Sequence, residues 1–351
     1  MNAADAPIPF GETGFSRRRF IQAGVTTSVA TAMATWPGHA VEPSSGPLID
    51  TNVSLGRWPF RRVPLDETPA LVARLRANGV TQAWAGSFDA LLHKDVAAVN
   101  ARLADECRRH APDLLVPFGT VNPTLPDWEE DLRRCHEKHR MPGIRLYPNY
   151  HGYTLQAPAF ARLLELATAR QLLVQITCSL EDERTHHPRL QVPLVDLAPL
   201  PDLLRRPLGL APMPSNDEPS LTRPSASAQG ATADKSGTLS RRTGEGRGEG
   251  GFVEPTGATR VQLLNAMRTW RAKPVLDLAA QGVRLEIATL EGVQGIANAL
   301  AQIPGDGLCF GSHAPFYYFE SAKLKLQESA LSQAQMDAVC AGNARRLLNA
   351  G

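Results

Sequence analysis

Apolar positions along the chain gather in short runs, separated by longer stretches in which they return every third or fourth residue. Eight runs stand out, at 48–53, 81–87, 115–121, 143–146, 172–176, 261–265, 283–288 and 308–312. Runs this dense, rather than alternating, mark strands covered on both faces, as in parallel sheets. The stretches between them, such as "TPALVARLRANG", "DVAAVNARLADECRRH", "AFARLLELATARQ" and "SQAQMDAVCAGNARRLL", carry the helical period. Strands alternating with amphipathic helices predict parallel strands joined by crossover helices, the α/β class. Eight of each is the count of a (β/α)8 TIM barrel in a single domain. A doubly wound open sheet competes, but no G-x-G-x-x-G follows the first strand.

Two segments break the pattern. Across 212–258, Gly, Ser, Pro and Thr make up 24 of 47 residues and large apolar side chains only five. Such a stretch cannot bury enough apolar surface to offset the entropy of ordering it, so a disordered low-complexity insert is expected. It follows a helix around 197–204 and precedes the sixth strand. That puts it on the N-terminal face of a barrel, away from the strand-to-helix loops that build active sites. Setting it aside leaves 254 positions between 48 and 348, close to the roughly 250 of a typical barrel.

At the other break, Ser16-Arg17-Arg18-Arg19-Phe20-Ile21 matches the twin-arginine export pattern, followed by a mildly apolar stretch and a small-residue site at Gly38-His39-Ala40. Residues 1–40 are therefore expected to be a signal peptide read by the twin-arginine machinery. The mature protein would then start near Val41 in the periplasm or outside the cell. No later run reaches the ~18 apolar residues of a membrane span, so no membrane association is expected after removal of the signal.

Composition excludes several function classes. The 351 residues are 43% hydrophobic and 21% charged with net charge +2, which suits a globular domain and leaves nucleic acid without an electrostatic footprint. Five cysteines stand far apart with no C-x-x-C pair, so neither a zinc knuckle nor a disulfide framework is indicated. The expected partner is a small-molecule substrate, and nothing in the sequence sets an oligomeric state.

Candidate chemistry lies just past the strands. "IDTNVSLGRWPFR", "PGIRLYPNYHGY", "LEDERTHHP", "FGSHAPFYY" and the closing "GNARRLL" occur in this order. Together they resemble the amidohydrolase-related proteins, TIM-barrel hydrolases of the amidohydrolase superfamily, over about 48–348 apart from the insert. The resemblance implies a divalent metal held by His-x-His at the end of strand one, a histidine after strand five, often another after strand six, and an aspartate after strand eight. The matching places here hold Asn52 and Ser54, Thr177, Asn265 and His313. Neutral amides and hydroxyls are poor substitutes for imidazole and carboxylate on such ions. No metal or other cofactor is therefore expected, unless the frame is displaced and His151, His186 or His187 supplies the missing imidazoles.

The superfamily includes lactonases that work without metal. On that pattern His313 is the candidate base, because imidazole titrates near neutral pH; a structural histidine is the equal alternative. Arg145 and Tyr147 alternate on the fourth strand and can both face the barrel axis. Arg145 offers a fork for a substrate carboxylate or a developing oxyanion, or else an ion pair to Glu181 or Asp182. Tyr147, Asn149, Tyr150 and His151 of "YPNYHGY" can line a site for a sugar-like or aromatic ring, or form an ordinary turn. In the charged loop, Asp182 and Arg184 are the best inward-facing pair. Glu291 can orient Arg145 or His313, or cap the helix near Gly292.

Three functions remain: a metal-independent hydrolase of a lactone or similar activated ester or amide, a ligand-binding pseudoenzyme, and a metal hydrolase with a rebuilt site.

Overall fold

The structure, a computed structural model, describes residues 46–182, 192–205 and 260–349. All lie in the unit Ala40–Gly351. The expected signal segment 1–40, the insert 212–258 and Arg184, His186 and His187 lie outside the described residues.

Among the described residues, eight parallel strands run in chain order: β1 Leu48–Leu55, β2 Val80–Ser87, β3 Leu115–Pro117, β4 Gly143–Leu146, β5 Leu173–Thr177, β6 Val261–Leu264, β7 Arg284–Glu286 and β8 Leu308–Cys309. They pair as β1-β2-β3 and β4-β5-β6-β7-β8. Two seams close the circle. Gly119 bridges Ile144 between the third and fourth strands, and Val53 bridges Ala314 beyond the eighth. Backbone bonds reinforce both seams, Arg145 N–H to Gly119 O at 2.7 Å, and Thr51 N–H to Phe310 O at 3.0 Å with Ser54 N–H to Ala314 O at 2.9 Å. Closure removes every sheet edge, which is why a barrel of such short strands is viable.

Strand positions follow the sequence pattern, but β3 and β8 are shorter than expected. Pro117 has no N–H to continue a ladder, so the chain past it keeps only the Gly119 bridge. Past Cys309 the chain leaves β7 and pairs with β1 instead.

The helices show why each forms where it does. Asp95 accepts a bond from Ala98 N–H at the start of Val96–His110, whose buried stripe Val96, Val99, Leu103 and Cys107 recurs at three and four. Ser332 and Gln335 form a capping box on Gln333–Asp337. The apolar core lies between strands and helices, with Ile144, Leu146, Val174, Ile176, Leu263, Leu285 and Phe310 fully buried in it. All five cysteines are buried and unbridged. Among the described residues no helix is long and apolar enough to cross a membrane.

The helix Leu200–Arg205 ends before the insert, and Arg260 immediately precedes β6. Residues 206–259, between that helix and β6, lie outside the described residues.

Candidate active site

The barrel interior is polar where an ordinary barrel is branched-aliphatic. The cause begins in β1. Its register against β2 advances from Asp50↔Ala83 to Val53↔Ala85, one extra residue on the first strand. A bulge of this kind re-aims side chains, and both Thr51 and Asn52 end up bonded to strands across the barrel. Thr51 Oγ1 accepts from Gln262 Nε2 at 2.9 Å and donates to Phe310 O. Asn52 Nδ2 donates to Asn265 Oδ1 at 2.9 Å and Glu286 Oε1 at 3.2 Å.

Glu286, at the end of β7, is fully buried. Its Oε1 also accepts from Asn265 N–H and its Oε2 from Ala288 N–H, both at 2.6 Å. Burial raises its pKa, opposed by these donors. A Cβ at Gly311 would meet Glu286 Oε2 at 2.5 Å, so only glycine lets the eighth strand pass this carboxyl.

A second buried carboxyl, Asp50, accepts from Asn52 N–H at 3.1 Å, from Ser312 N–H at 3.0 Å and from the Ser312 hydroxyl. Burial pushes it up to about 7, against those bonds and helped by the Glu286 charge. Ser312 Oγ in turn accepts from Ala314 N–H at 3.0 Å, which fixes the chain around His313.

His313 is 0% exposed and sits at φ 58°. A bulky residue in the left-handed region is strained, and such strain clusters at functional sites; Asn265, at φ 57°, shares it. The ring stacks on Phe316 at 5.2 Å and meets Tyr317 edge-on at 5.1 Å. Nε2 lies 3.0 Å from Leu180 O, so it carries the hydrogen and Nδ1 holds the lone pair. Nδ1 has no hydrogen-bond partner. Burial lowers the pKa to about 4, with Arg145 adding to the effect. The imidazole is therefore neutral at pH 7.

Arg145 does not serve as a substrate clamp. Its Nε donates to Gln175 Oε1 at 2.8 Å, Nη1 to Val53 O at 2.7 Å and Ser54 Oγ at 3.5 Å, and Nη2 to Trp84 O at 2.9 Å and Thr51 O at 3.4 Å. The three shortest of these bonds tie it to β1, β2 and β5. The ion pair weighed as the alternative does not form either. Glu181 faces Arg61 at 3.3 Å and Asp182 faces Arg268 at 3.2 Å. The barrel curls around a cation tied to its own carbonyls, with Asp50 and Glu286 supplying the balancing charge at a distance.

The other sequence candidates scatter. Tyr147 is fully buried among Trp58, Phe88 and Leu180. Its hydroxyl lies in the field of Arg145, and burial raises its pKa. Thr177 is buried at the end of β5 with Oγ1 unpartnered, and Trp58 Nε1 is likewise buried and unpartnered. Tyr150 packs edge-on to Trp58 at 6.2 Å. His151 is tied by Nε2 to Ala90 O at 2.9 Å, and burial lowers its pKa, so it braces the loop after β2. Asn149 Nδ2 donates to Pro193 O at 3.0 Å. Glu291 is 68% exposed and 3.6 Å from Arg268; it neither orients Arg145 or His313 nor caps a helix, the next of which begins at Gly295.

Sequence reasoning missed Asp50, Glu286, Gln175, Gln262 and Trp58. Asp50 had a signal, since it stands two residues before Asn52 inside an apolar strand. Glu286 had a similar one inside "VRLEIA", where an unpaired carboxylate has no reason to sit.

A family model described as amidohydrolase matches residues 54–209, somewhat under half of the chain. No curated protein sequence matches. Among solved structures, 2,6-dihydroxybenzoate decarboxylase from Rhizobium superposes with TM-score 0.53 at 12% identity, covering 87% of this chain and 98% of its own. A 5-carboxyvanillate decarboxylase from Novosphingobium aromaticivorans, complexed with manganese and 4-hydroxy-3-methoxy-5-nitrobenzoic acid, gives 0.55 at 12%, covering 88% and 97%. A dihydroxybenzoic acid decarboxylase from Polaromonas, with bound manganese and 2-nitroresorcinol, gives 0.52 at 14%, covering 86% and 97%.

Manganese in these relatives overturns the expectation that no cofactor belongs to this fold. The residues described here do not fit the ion as they stand. No group of three or more His, Cys, Asp or Glu among them could hold a metal, and Asp50 and Glu286 have committed their oxygens to hydrogen bonds. The family match at residues 54–209 thus falls on a closed eight-stranded barrel, the fold that these solved structures share.

Proposed function

We propose that this chain hydrolyses a small, neutral, ring-bearing activated ester, a lactone or similar compound, at the mouth of its barrel. The observation that carries this reading is the unspent Nδ1 of His313, a buried lone pair on an imidazole that is neutral at pH 7. Leaving such an acceptor dry costs about 1–3 kcal/mol, a cost recovered when a water or substrate donates to it. Nδ1 would take a proton from the attacking water as its oxygen bonds to the carbonyl carbon and the C=O π pair moves onto oxygen. When C=O re-forms and the ring C–O bond breaks, it would give that proton to the departing ring oxygen.

Further unspent groups at strand ends and mouth loops, among them Thr177 Oγ1, Trp58 Nε1, the Tyr147 hydroxyl, Asn149 Oδ1 and His151 Nδ1, carry no charge in their neutral forms, and Trp58, Phe88, Tyr150 and Phe316 supply aromatic walls. The relatives act on benzoates, whose carboxylate calls for a cation. Here the buried arginine of the barrel already donates to Gln175, Val53 and Trp84 at 2.7–2.9 Å, which favours an uncharged ester over a carboxylate.

A second reading, a ligand-binding barrel without turnover, is favoured by the closed network of Asn52, Asn265 and Glu286. A panel of lactones and simple esters distinguishes the two. Turnover that falls by about 10² or more in His313→Asn supports proton transfer there. Saturable calorimetric binding without turnover supports the binder. We also propose export by the twin-arginine route, on the strength of the arginine pattern at 16–21. Periplasmic recovery that is lost on Arg17→Lys/Arg18→Lys/Arg19→Lys substitution tests it.

A further inference from the structure

At the opposite end of the barrel, the loops that lead into three consecutive strands each contribute an arginine to one cavity. Arg140 and Arg170 stand three residues before β4 and β5, and Arg260 immediately precedes β6. The cavity measures about 490 Å³ and is lined also by His136, Gln171 and Asn349, with no carboxylate among the described residues of its wall.

What sets these three apart is that arginines without a described carboxylate partner converge on one cavity. Most of the described arginines meet an aspartate or glutamate, from Arg57 with Glu67 to Arg284 with Asp306. Among the described residues, Arg140, Arg170 and Arg260 have no such partner. Arg260 spends one nitrogen on Leu347 O and Leu348 O, at 3.4 and 2.8 Å, and burial lowers its pKa. Arg170 spends Nη1 on Leu166 O at 3.2 Å, while its Nε is buried with no partner at all. Two non-glycine residues of this wall, Arg140 and Gln171, hold φ near 54°, a conformation that carries strain. Three like charges around one hollow repel one another unless an anion sits between them.

We propose that this cavity binds the phosphate group of a small phosphate ester. Arginine forks match phosphate oxygens two at a time, and the volume lies within the roughly 300–1,000 Å³ of small-molecule sites, well beyond one inorganic phosphate. The site lies on the N-terminal face, remote from His313, so it would act as a regulatory or anchoring site rather than as part of the mouth.

Isothermal titration of the full chain at low salt with a hexose phosphate, with inorganic phosphate and with the unphosphorylated hexose tests this. The expected result is saturable binding of the hexose phosphate, weaker binding of inorganic phosphate, and none of the free sugar. Arg170→Gln is expected to weaken the hexose phosphate tenfold or more, and Arg271→Gln, whose guanidinium lies over Trp270, to leave it unchanged. Should Arg170→Gln melt well below the parent, the exposed Arg140→Gln takes its place with the same expectation. Binding confined to inorganic phosphate, no saturable binding, or binding indifferent to Arg170→Gln and Arg140→Gln in folded protein overturns the proposal. None of these readouts depends on turnover at the mouth.

Discussion

Asn52 Nδ2 reaches across the barrel to Glu286 Oε1 at 3.2 Å, from the bulge of the first strand to the end of the seventh. A neutral amide donating to a buried carboxyl is stable where two carboxylates would repel. Asn52→Asp replaces that donor with a second acid, beside an acid whose pKa burial already raises. Expected is a loss of roughly 3 kcal/mol in urea unfolding at pH 8, more than in Asn52→Ala. The gap should narrow toward pH 5 as one carboxyl takes up a proton. Equal stability of the two variants at pH 8 would mean that Glu286 is already neutral there and can donate.

Gly86 is where Arg145 passes β2. A Cβ there would meet Arg145 Cδ and Nη1 at 2.8 Å, and the guanidinium cannot retreat because acceptors on β1, β2 and β5 hold it. Gly86→Ala is therefore expected to cost about 1–3 kcal/mol by overpacking. Gly305→Ala, with nothing within 4 Å of the added carbon, should stay within about 0.5 kcal/mol of the parent. Thermal melts of the pair decide it; equal melting temperatures would show that Arg145 has room to move.

Asp50 and His313 tilt stability in opposite directions over one pH window. Asp50 rises from 3.8 to about 7 on folding, so the folded state binds more protons, and its contribution is lost as pH climbs through that range. His313 falls from 6.5 to about 4, so the folded state binds fewer, and stability is lost as pH drops through that range. Between about pH 4 and 6.5 the two slopes offset each other. Relative to the parent, Asp50→Asn is expected to lose stability more steeply toward acid, and His313→Asn more steeply toward neutral pH. Urea midpoints at half-unit intervals measure both, and parallel curves for all three proteins would contradict the burial assigned to these groups.

The fold was legible because barrel strands and crossover helices differ in period, and eight dense runs leave few other architectures. The places of Asn52, Ser54, Thr177, Asn265 and His313 at strand ends were legible for the same reason. What those side chains touch was not. Arg145 read as a ligand clamp because sequence shows a charge on an inward strand position but not the Val53, Thr51 and Trp84 carbonyls that consume it. Those acceptors are backbone atoms, which every residue has, so no pattern announces them. The bulge at Thr51-Asn52 is equally silent, since one extra residue in a strand leaves composition unchanged. Glu291 misled in the other direction, because a carboxylate after β7 suits a cap, while the buried Glu286 five residues earlier is the one that closes the network.

The neutral His313 gives the proposed chemistry a distinctive pH signature. An exposed imidazole would lose its activity below about pH 6.5, whereas this one, lowered to about 4 by burial and Arg145, stays unprotonated well into acid. For any ester the protein turns over, kcat/KM is expected to keep a plateau through pH 6 and fall along a single acid limb centred near pH 4. His313→Asn should remove that limb and lower kcat/KM by about 10² or more. Because the stacked Phe316 helps exclude water from the ring, Phe316→Ala should move the limb upward toward 6.5. An acid limb already near 6.5 in the parent would mean that the imidazole works solvated, and the unspent buried lone pair would no longer explain the reaction.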